Sequence, residues 1–278
     1  METKEIAMQK RTTMMGTACV LAAAALTAGP AAADTLTGFA GVLNTTFDNT
    51  DSSISGSKAI KSWLLGGSAA MPLSDIPNLN VQVDASYTHN WYEHWSEEDW
   101  NFGGSAFWAN MDTRFGANIS YFTSNEGGDL ANGGVFGEYY FGPLTVMAKG
   151  GGLDGGGTSF GGRGNYLGGA VEGFIMPDLS ITGSVDWQDL VVGQGCVVCG
   201  RNDLRATTAE IIAEFLFVED LGVSGYVGYR YTSDRLSGVA PVDFHTNAWL
   251  VGIRWYLGGG SLMDHQRNGN LNPWLPGA

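Results

Sequence analysis

Apolar and polar residues alternate strictly along several segments of the chain. In the segment 79–88 every odd position is apolar and every even position is polar, and the segment 179–188 repeats this pattern. Less regular versions occur at 209–215, 223–231 and 249–257. A period of two residues is typical of a β-strand that buries one apolar face, so these segments are predicted strands.

The same alternation, followed over the whole chain, predicts twelve strands. The lengths of the connections between them indicate how the strands are arranged. The strands lie near 35–47, 60–71, 79–90, 103–110, 114–123, 132–141, 143–151, 166–176, 179–188, 207–218, 222–232 and 246–257. Connections after odd-numbered strands are long, and those after even-numbered strands are short. Long outer loops and tight periplasmic turns are typical of a barrel in an outer membrane. We therefore predict an all-β, closed, antiparallel, up-and-down transmembrane β-barrel over residues 34–257. Ten strands would remain if the unbroken alternation from Phe107 to Tyr121 were one long strand.

The first 33 residues have the organisation of a secretory signal peptide. Three basic residues precede an apolar run over 14–28, and three alanines at 31–33 form a small-residue cleavage site. Export to an oxidising compartment favours a local disulfide between Cys196 and Cys199, with a redox-active C-x-x-C pair as the alternative. The tail, residues 258–278, is predicted to be periplasmic, either as a flexible segment or folded up to close the periplasmic mouth.

Composition excludes several classes of protein. Glycine accounts for 42 of the 278 residues, and Phe, Trp and Tyr add 13, 9 and 10, which is unlike a disordered or a helical chain. The net charge of −14 argues against nucleic acid as a partner. Charged residues make up only 15% of the chain, as expected of a wall that faces lipid on one side.

The last predicted strand carries a family resemblance. Gly252 is followed three and five residues later by Trp255 and Leu257, which approximates the assembly signal of outer-membrane barrels. Leu250 stands where a polar residue is usual, and the chain continues beyond the strand. Together with the signal peptide and the alternating strands, the chain resembles the single-domain outer-membrane β-barrel proteins of Gram-negative bacteria, the small porin-like class. The resemblance implies a bacterial outer-membrane location, insertion by the barrel-assembly machinery, and contact with outer-membrane lipid and lipopolysaccharide.

Successive side chains of a strand point to opposite faces, so odd and even positions of each predicted strand are assigned to opposite faces of the barrel. The residues predicted to face lipid are Val81, Val83, Ile119, Ile181, Val185, Ile211, Phe215, Val227, Val251 and Ile253. Aromatic residues near strand ends, predicted to form the girdles, are Tyr87, Tyr121, Trp187, Tyr229, Tyr231, Trp249 and Trp255. The residues predicted to line the lumen are Asp84, Arg114, Glu138, Lys149, Glu172, Asp186, Glu210, Glu214, Arg230 and Arg254.

The predicted lumen contains six acids and four bases. If the chain reverses at the turn near Asp220, Glu210 on the tenth strand lies opposite Arg230 on the eleventh. A cross-strand ion pair is therefore expected there. Two interpretations of this lumen stay open. Either the charges pair off and rigidify a wall that conducts nothing, or they line a water-filled pore in which the acidic excess favours cations.

Catalytic and metal chemistry find little support in the sequence. His94 and Ser96 resemble the histidine-any-serine element of the outer-membrane phospholipase, with Asn101 as the candidate orienting residue. They lie, however, in a predicted acidic, Trp-rich loop over 91–102. We predict no catalytic residues, no cofactor and no metal.

The favoured function is a narrow, porin-like channel for small hydrophilic solutes. The alternatives are a non-conducting barrel that acts through its extracellular loops and, third, a lipid-modifying enzyme.

Overall fold

Twelve strands, one short α-helix and a 3-10 helix of three residues (Glu219–Leu221) make up the described part of the computed structural model. It describes residues 40–52, 60–73, 76–91, 96–125, 128–155, 162–192, 202–237, 242–257 and 260–268. The predicted signal peptide, His94, Cys196 and Cys199 lie outside these ranges. The strands are β1 (Ala40–Ser52), β2 (Ile60–Pro72), β3 (Leu79–Trp91), β4 (Ser96–Ala109), β5 (Thr113–Ser124), β6 (Gly128–Phe141), β7 (Leu144–Asp154), β8 (Arg163–Met176), β9 (Leu179–Val192), β10 (Asn202–Val218), β11 (Val223–Ser237) and β12 (Val242–Leu257), and the helix is α1 (Leu262–Asn268).

The sheet closes on itself. Each strand is antiparallel to its neighbours in the chain, and β1 pairs with both β2 and β12, which joins the two ends of the sheet. Closure leaves no strand edge with unpaired amides, which a barrel in lipid requires. The prediction of an all-β, closed, antiparallel barrel is confirmed, with twelve strands.

The ten-strand alternative is wrong because a tight turn separates β4 from β5. The side-chain oxygen of Asn110 accepts hydrogen bonds from the backbone amides of Asp112, at 2.9 Å, and Thr113, at 2.7 Å. This local bonding reverses the chain within the unbroken alternation that the sequence shows.

The strand ends next to the long connections extend further than predicted. β4 begins at Ser96, not near residue 103, and β12 begins at Val242, not near residue 246. Most of the predicted acidic loop 91–102 is therefore sheet. Its register explains why: Glu97 and Asp99 pair with inward positions of β3, whereas Trp100 pairs with the outward Tyr87. The high charge of the segment concealed an ordinary alternation of inner and outer residues.

The turns at the opposite end of the barrel are short, and one of them depends on glycine. Gly142 and Pro143 alone connect β6 to β7, and Gly142 has a φ of +55°. A positive φ at the first central position is what a two-residue hairpin of type II′ requires, and it favours glycine. The turn therefore brings β6 and β7 into register without a loop.

Apolar side chains lie mainly on the outside of the barrel. Those predicted to face lipid are exposed, except Val81, which is half-buried. Ile119 reaches 71% exposure. Buried apolar clusters inside the described ranges are small, with Ala70 against Phe107, and Phe174 and Leu216 against Leu262. No helix in the described ranges is long and apolar enough to span a membrane.

The described part of the tail is ordered, in contrast to the flexible segment that was one of its two predicted states. Ser261 caps α1, because its hydroxyl oxygen accepts a hydrogen bond from the Asp264 amide at 3.2 Å and its own amide donates to the Asp264 carboxylate at 3.1 Å. Leu262 is buried against Phe174 and Leu216 of the barrel. This apolar contact explains why the segment folds back onto the barrel instead of extending from it.

A charge placed on the outer face tests this orientation. Val227 lies at the middle of the apolar band on β11 and is 49% exposed. We expect Val227→Arg to lower the free energy of unfolding in lipid vesicles by about 2–4 kcal/mol, measured by urea titration. Ser233→Arg, on the same strand and the same face but near its extracellular end, is the matched control and should cost about 0–1 kcal/mol. Equal costs at the two positions would contradict the assignment of the band.

Candidate functional site: the charged lumen

The strand register places all ten predicted lumen residues on the inner face of the barrel. Arg114 pairs with Glu138, and Glu210 pairs with Arg230. Five of the ten are buried, namely Arg114, Glu138, Lys149, Glu172 and Glu214. In a barrel whose outer face is apolar, these buried charges can only lie inside, and they meet one another there.

An upper tier of two ion pairs lies towards the end of the barrel with the long connections. It consists of Glu210 with Arg230 and Lys149 with Asp186. The Arg230 Nε donates to the Glu210 Oε2 at 2.7 Å, across adjacent strands as predicted. The Lys149 Nζ lies 2.8 Å from the Asp186 Oδ1. This second pair was not foreseen, because β8 separates the two strands that carry it.

Gly168 makes the Lys149–Asp186 pair possible. It is the residue of β8 that lies between the two partners in the register. A Cβ atom at this position would lie 2.2 Å from the Asp186 Oδ1 and 2.8 Å from the Lys149 Cε. The ion pair therefore occupies the space that a side chain on β8 would fill.

A lower tier of two ion pairs lies near the end of the barrel with the short turns, and it consists of Arg254 with Glu214 and Arg114 with Glu138. Arg254 donates to Glu214, which also accepts hydrogen bonds from the hydroxyls of Ser224, at 2.5 Å, and Tyr256, at 2.7 Å. The carboxylate is thus saturated, as a buried charge requires.

The second lower pair is looser and makes contact with the tail. The Arg114 Nη1 lies 3.7 Å from the Glu138 Oε2, and the guanidinium lies over the Phe107 ring. Its Nη2 donates to the backbone carbonyls of Gln266, at 3.1 Å, and Arg267, at 2.9 Å. These are carbonyls of the last turn of α1, where the helix dipole favours a cation.

Two acids remain outside these pairs. Asp84 accepts a hydrogen bond from the Gln82 side chain at 2.7 Å, and Glu172 is 6% exposed. Within the described ranges neither carboxylate has a basic partner, and one oxygen of each makes no hydrogen bond. Among the ten predicted lumen residues the acids therefore exceed the bases by two, and the register adds the inward Glu97 and Asp99 of β4.

The side chains of the upper tier are on average more exposed than those of the lower tier. The side chains of Arg230, Asp186 and Glu210 are 34%, 22% and 14% exposed. Those of Arg114 and Glu138 are 1% and 6% exposed. Lys149 of the upper tier is 6% exposed, and Arg254 and Glu214 of the lower tier are 12% and 5% exposed, so side chains that are more than 12% exposed occur only in the upper tier.

Helix α1 contacts the lower tier and the strands around it. Gln266 donates to Glu138 at 3.4 Å and accepts from the Thr145 hydroxyl at 3.2 Å. Arg267 donates to the Gly142 carbonyl and lies over the Tyr140 ring, and His265 stacks on Tyr256 with ring centroids 4.6 Å apart. The helix thus contacts several strands at the end of the barrel with the short turns and covers the lower tier.

Sequence reasoning missed the neutral polar residues of the lumen. Gln82 and Asn118 are 2% and 3% exposed, and they lie on the inner face between the charged residues. The parity that selected Asp84 also selects Gln82, so the signal was present but was applied only to charges. For the contacts of α1 no such signal existed, because the tail lies outside the alternating strands.

The described part of the structure shows no arrangement of side chains that would support the catalytic alternative. Ser96 is the first residue of β4, and its proposed partner His94 lies outside the described residues. Among the residues that the structure describes, no group of three His, Cys, Asp or Glu side chains is placed to hold a metal ion.

Comparison with known proteins bears on the fold. No protein-family model matches the chain, and no curated protein matches it in sequence. Among solved structures it is similar to the NanC porin, with 12% identity and a TM-score of 0.49 over 77% of this chain and 98% of that one. It is also similar to the KdgM porin in complex with disordered oligogalacturonate, with 10% identity and a TM-score of 0.48 over 76% and 98%. The translocator domain of the autotransporter NalP from Neisseria meningitidis has 15% identity and a TM-score of 0.48 over 86% and 98%. At these identities the similarity concerns the fold alone.

A substitution at Gly168 tests the upper tier. We expect Gly168→Ala to displace the Lys149–Asp186 pair and to lower the free energy of unfolding by about 1–3 kcal/mol, measured by urea titration in vesicles. The neighbouring Gly169 faces outwards, and a Cβ atom there would meet only the Met147 carbonyl oxygen, at 3.6 Å. Gly169→Ala is therefore the matched control and should change the free energy little. A comparable loss in both variants would mean that the ion pair does not depend on the gap at Gly168.

Proposed function

We propose that the chain is an outer-membrane, porin-like barrel that gives small hydrophilic solutes a narrow path, and that α1 closes this path at the periplasmic end. The observation that carries the proposal is the gradient of exposure along a charged lumen. A barrel that only had to be stable would gain from an apolar interior, because buried ion pairs cost desolvation energy.

The outer face supports the membrane location. It exposes Val185, Ile211 and Val251 by 54–56%, which in water would be an unusually large apolar surface. Signal-directed export, as the first 33 residues predict, leads a Gram-negative chain to the compartment from which such barrels insert. Contact with lipid explains why so many apolar side chains lie on the outer face, whereas contact with water would not.

The charges of the lumen support a preference for cations. Four ion pairs cancel, and Asp84 and Glu172 remain as acids without a basic partner within the described ranges. A negative potential in a narrow, low-dielectric passage concentrates cations and excludes anions. The solute class is therefore small, hydrophilic, and neutral or cationic.

The burial of the lower tier favours a second candidate function. Arg114 is 1% exposed, and the hydroxyls of Thr145 and Ser224 belong to residues that are fully buried. If these side chains filled the lumen by themselves, the barrel would conduct nothing and would act through its extracellular loops. The two candidates differ in what happens when α1 is removed.

Planar-bilayer conductance separates them. We expect the mature chain, residues 34–278, to be closed for most of the recording time. We expect a chain that ends at residue 257 to conduct steadily with a cation preference, because the lower tier has lost its cover. A truncated barrel that inserts and still seals the bilayer would select the non-conducting alternative.

A point substitution tests the role of α1 without shortening the chain. Arg114→Gln removes the guanidinium that holds the last turn of the helix, and we expect it to increase the open fraction at least several-fold. Arg163→Gln, which removes an exposed base at the outer rim, is the control and should leave the open fraction unchanged. An unchanged open fraction in the Arg114 variant would contradict closure by the docked helix.

A further inference from the structure

Four charged residues form one row across the outer face of β9 to β12. Asp189 pairs with Arg205, Arg205 with Arg235, and Arg235 with Asp243. Positions directly opposite one another in an antiparallel pair have Cβ atoms about 5 Å apart. Two arginines thus occupy adjacent positions, with an acid on each side of them.

This arrangement leaves the two guanidinium groups available to a ligand. The Arg205 Nε lies 3.8 Å from the Asp189 Oδ1, and the Arg235 Nε lies 3.5 Å from the Asp243 Oδ1. The two arginine side chains are 63% and 72% exposed. Within the described ranges neither makes a hydrogen bond or a second ion pair. Like charges placed directly opposite each other destabilise a sheet, so the pair costs stability unless an anion lies between them.

The row lies just above the apolar band. On β10 the outward residues from Phe217 to Ala209 are apolar, Thr207 follows, and Arg205 comes next. Four residues at about 3.3 Å each, on strands tilted by about 40°, place the row about 10 Å above Ala209. This is the level at which lipid headgroups meet the barrel on its extracellular side.

We propose that Arg205 and Arg235 bind a phosphate group of lipopolysaccharide in the outer leaflet. The inference rests on the outer-membrane location in the proposed function. The guanidinium group presents its donors in a planar fork that matches phosphate, and two adjacent forks can hold one phosphate from both sides. Asp189 and Asp243 lie on the Nε sides, where they orient the guanidinium groups and leave the terminal nitrogens to the ligand.

Binding of lipid A tests the site. The mature protein in detergent is titrated with bisphosphorylated lipid A, and the midpoint of thermal unfolding is followed. We expect lipid A to raise the midpoint of the wild type, and dephosphorylated lipid A to have no such effect. The double variant Arg205→Gln/Arg235→Gln should bind lipid A at least about tenfold more weakly, because charge-assisted hydrogen bonds are lost. Unchanged binding in this variant would overturn the proposal.

A second double variant distinguishes the site from general electrostatic attraction. Lys61→Gln/Arg163→Gln removes two other outward bases at the extracellular rim and should bind lipid A as the wild type does. An equal loss in both double variants, or an equal response to phosphatidylglycerol, would overturn a specific lipopolysaccharide site. The Arg205/Arg235 variant should retain the conductance of the parent chain. A failure of the channel proposal would therefore appear in the conductance recordings, and a failure of the lipid site would appear only in the titration.

Discussion

Closure of the backbone hydrogen-bond ladder is the constraint on which the rest of this structure depends. In hydrocarbon every backbone amide must be paired within the protein, and the pairing of β1 with β12 removes the only edges that an open sheet would have. Once the sheet is closed, alternate side chains point either to lipid or to the lumen. The apolar set then has to lie outside, and charged side chains can lie only inside or beyond the band.

The interior follows from this division. A lumen enclosed by twelve strands is too wide to be filled by backbone, and most of the charges that line it pair across strands, because an unpaired buried charge is costly. The pairs are not limited to neighbouring strands, as Lys149 shows by passing over Gly168 to reach Asp186. The long basic side chain reaches across the intervening strand, and glycine on that strand provides the space that the ion pair fills. Much of the unusually high glycine content of the chain lies in the strands of the barrel.

Alternation with a period of two residues was sufficient to predict the barrel, its strand order and the inner face, because one rule assigns every residue of a strand. It also placed Glu210 opposite Arg230. It failed where charge concealed the period, as in β4, and where contacts cross an intervening strand. The row of Asp189, Arg205, Arg235 and Asp243 was not found, since it requires the register of four strands at once. Helix α1 was beyond this rule altogether, because its place depends on tertiary contacts with Phe174, Leu216 and Arg114.

The shortness of α1 makes closure and folding of the helix a single event. A helix of seven residues is not stable in isolation, so this segment is helical only while it contacts the barrel. Ordering its backbone costs about 7–14 kcal/mol, which burial of Leu262, the Arg114 contacts and the stacking of His265 on Tyr256 must offset. With opposing contributions of similar size, the loss of one contact shifts the balance measurably. For the closure proposed above, we therefore expect that loss of the Arg114 contacts alone shifts the segment from the docked to the released state.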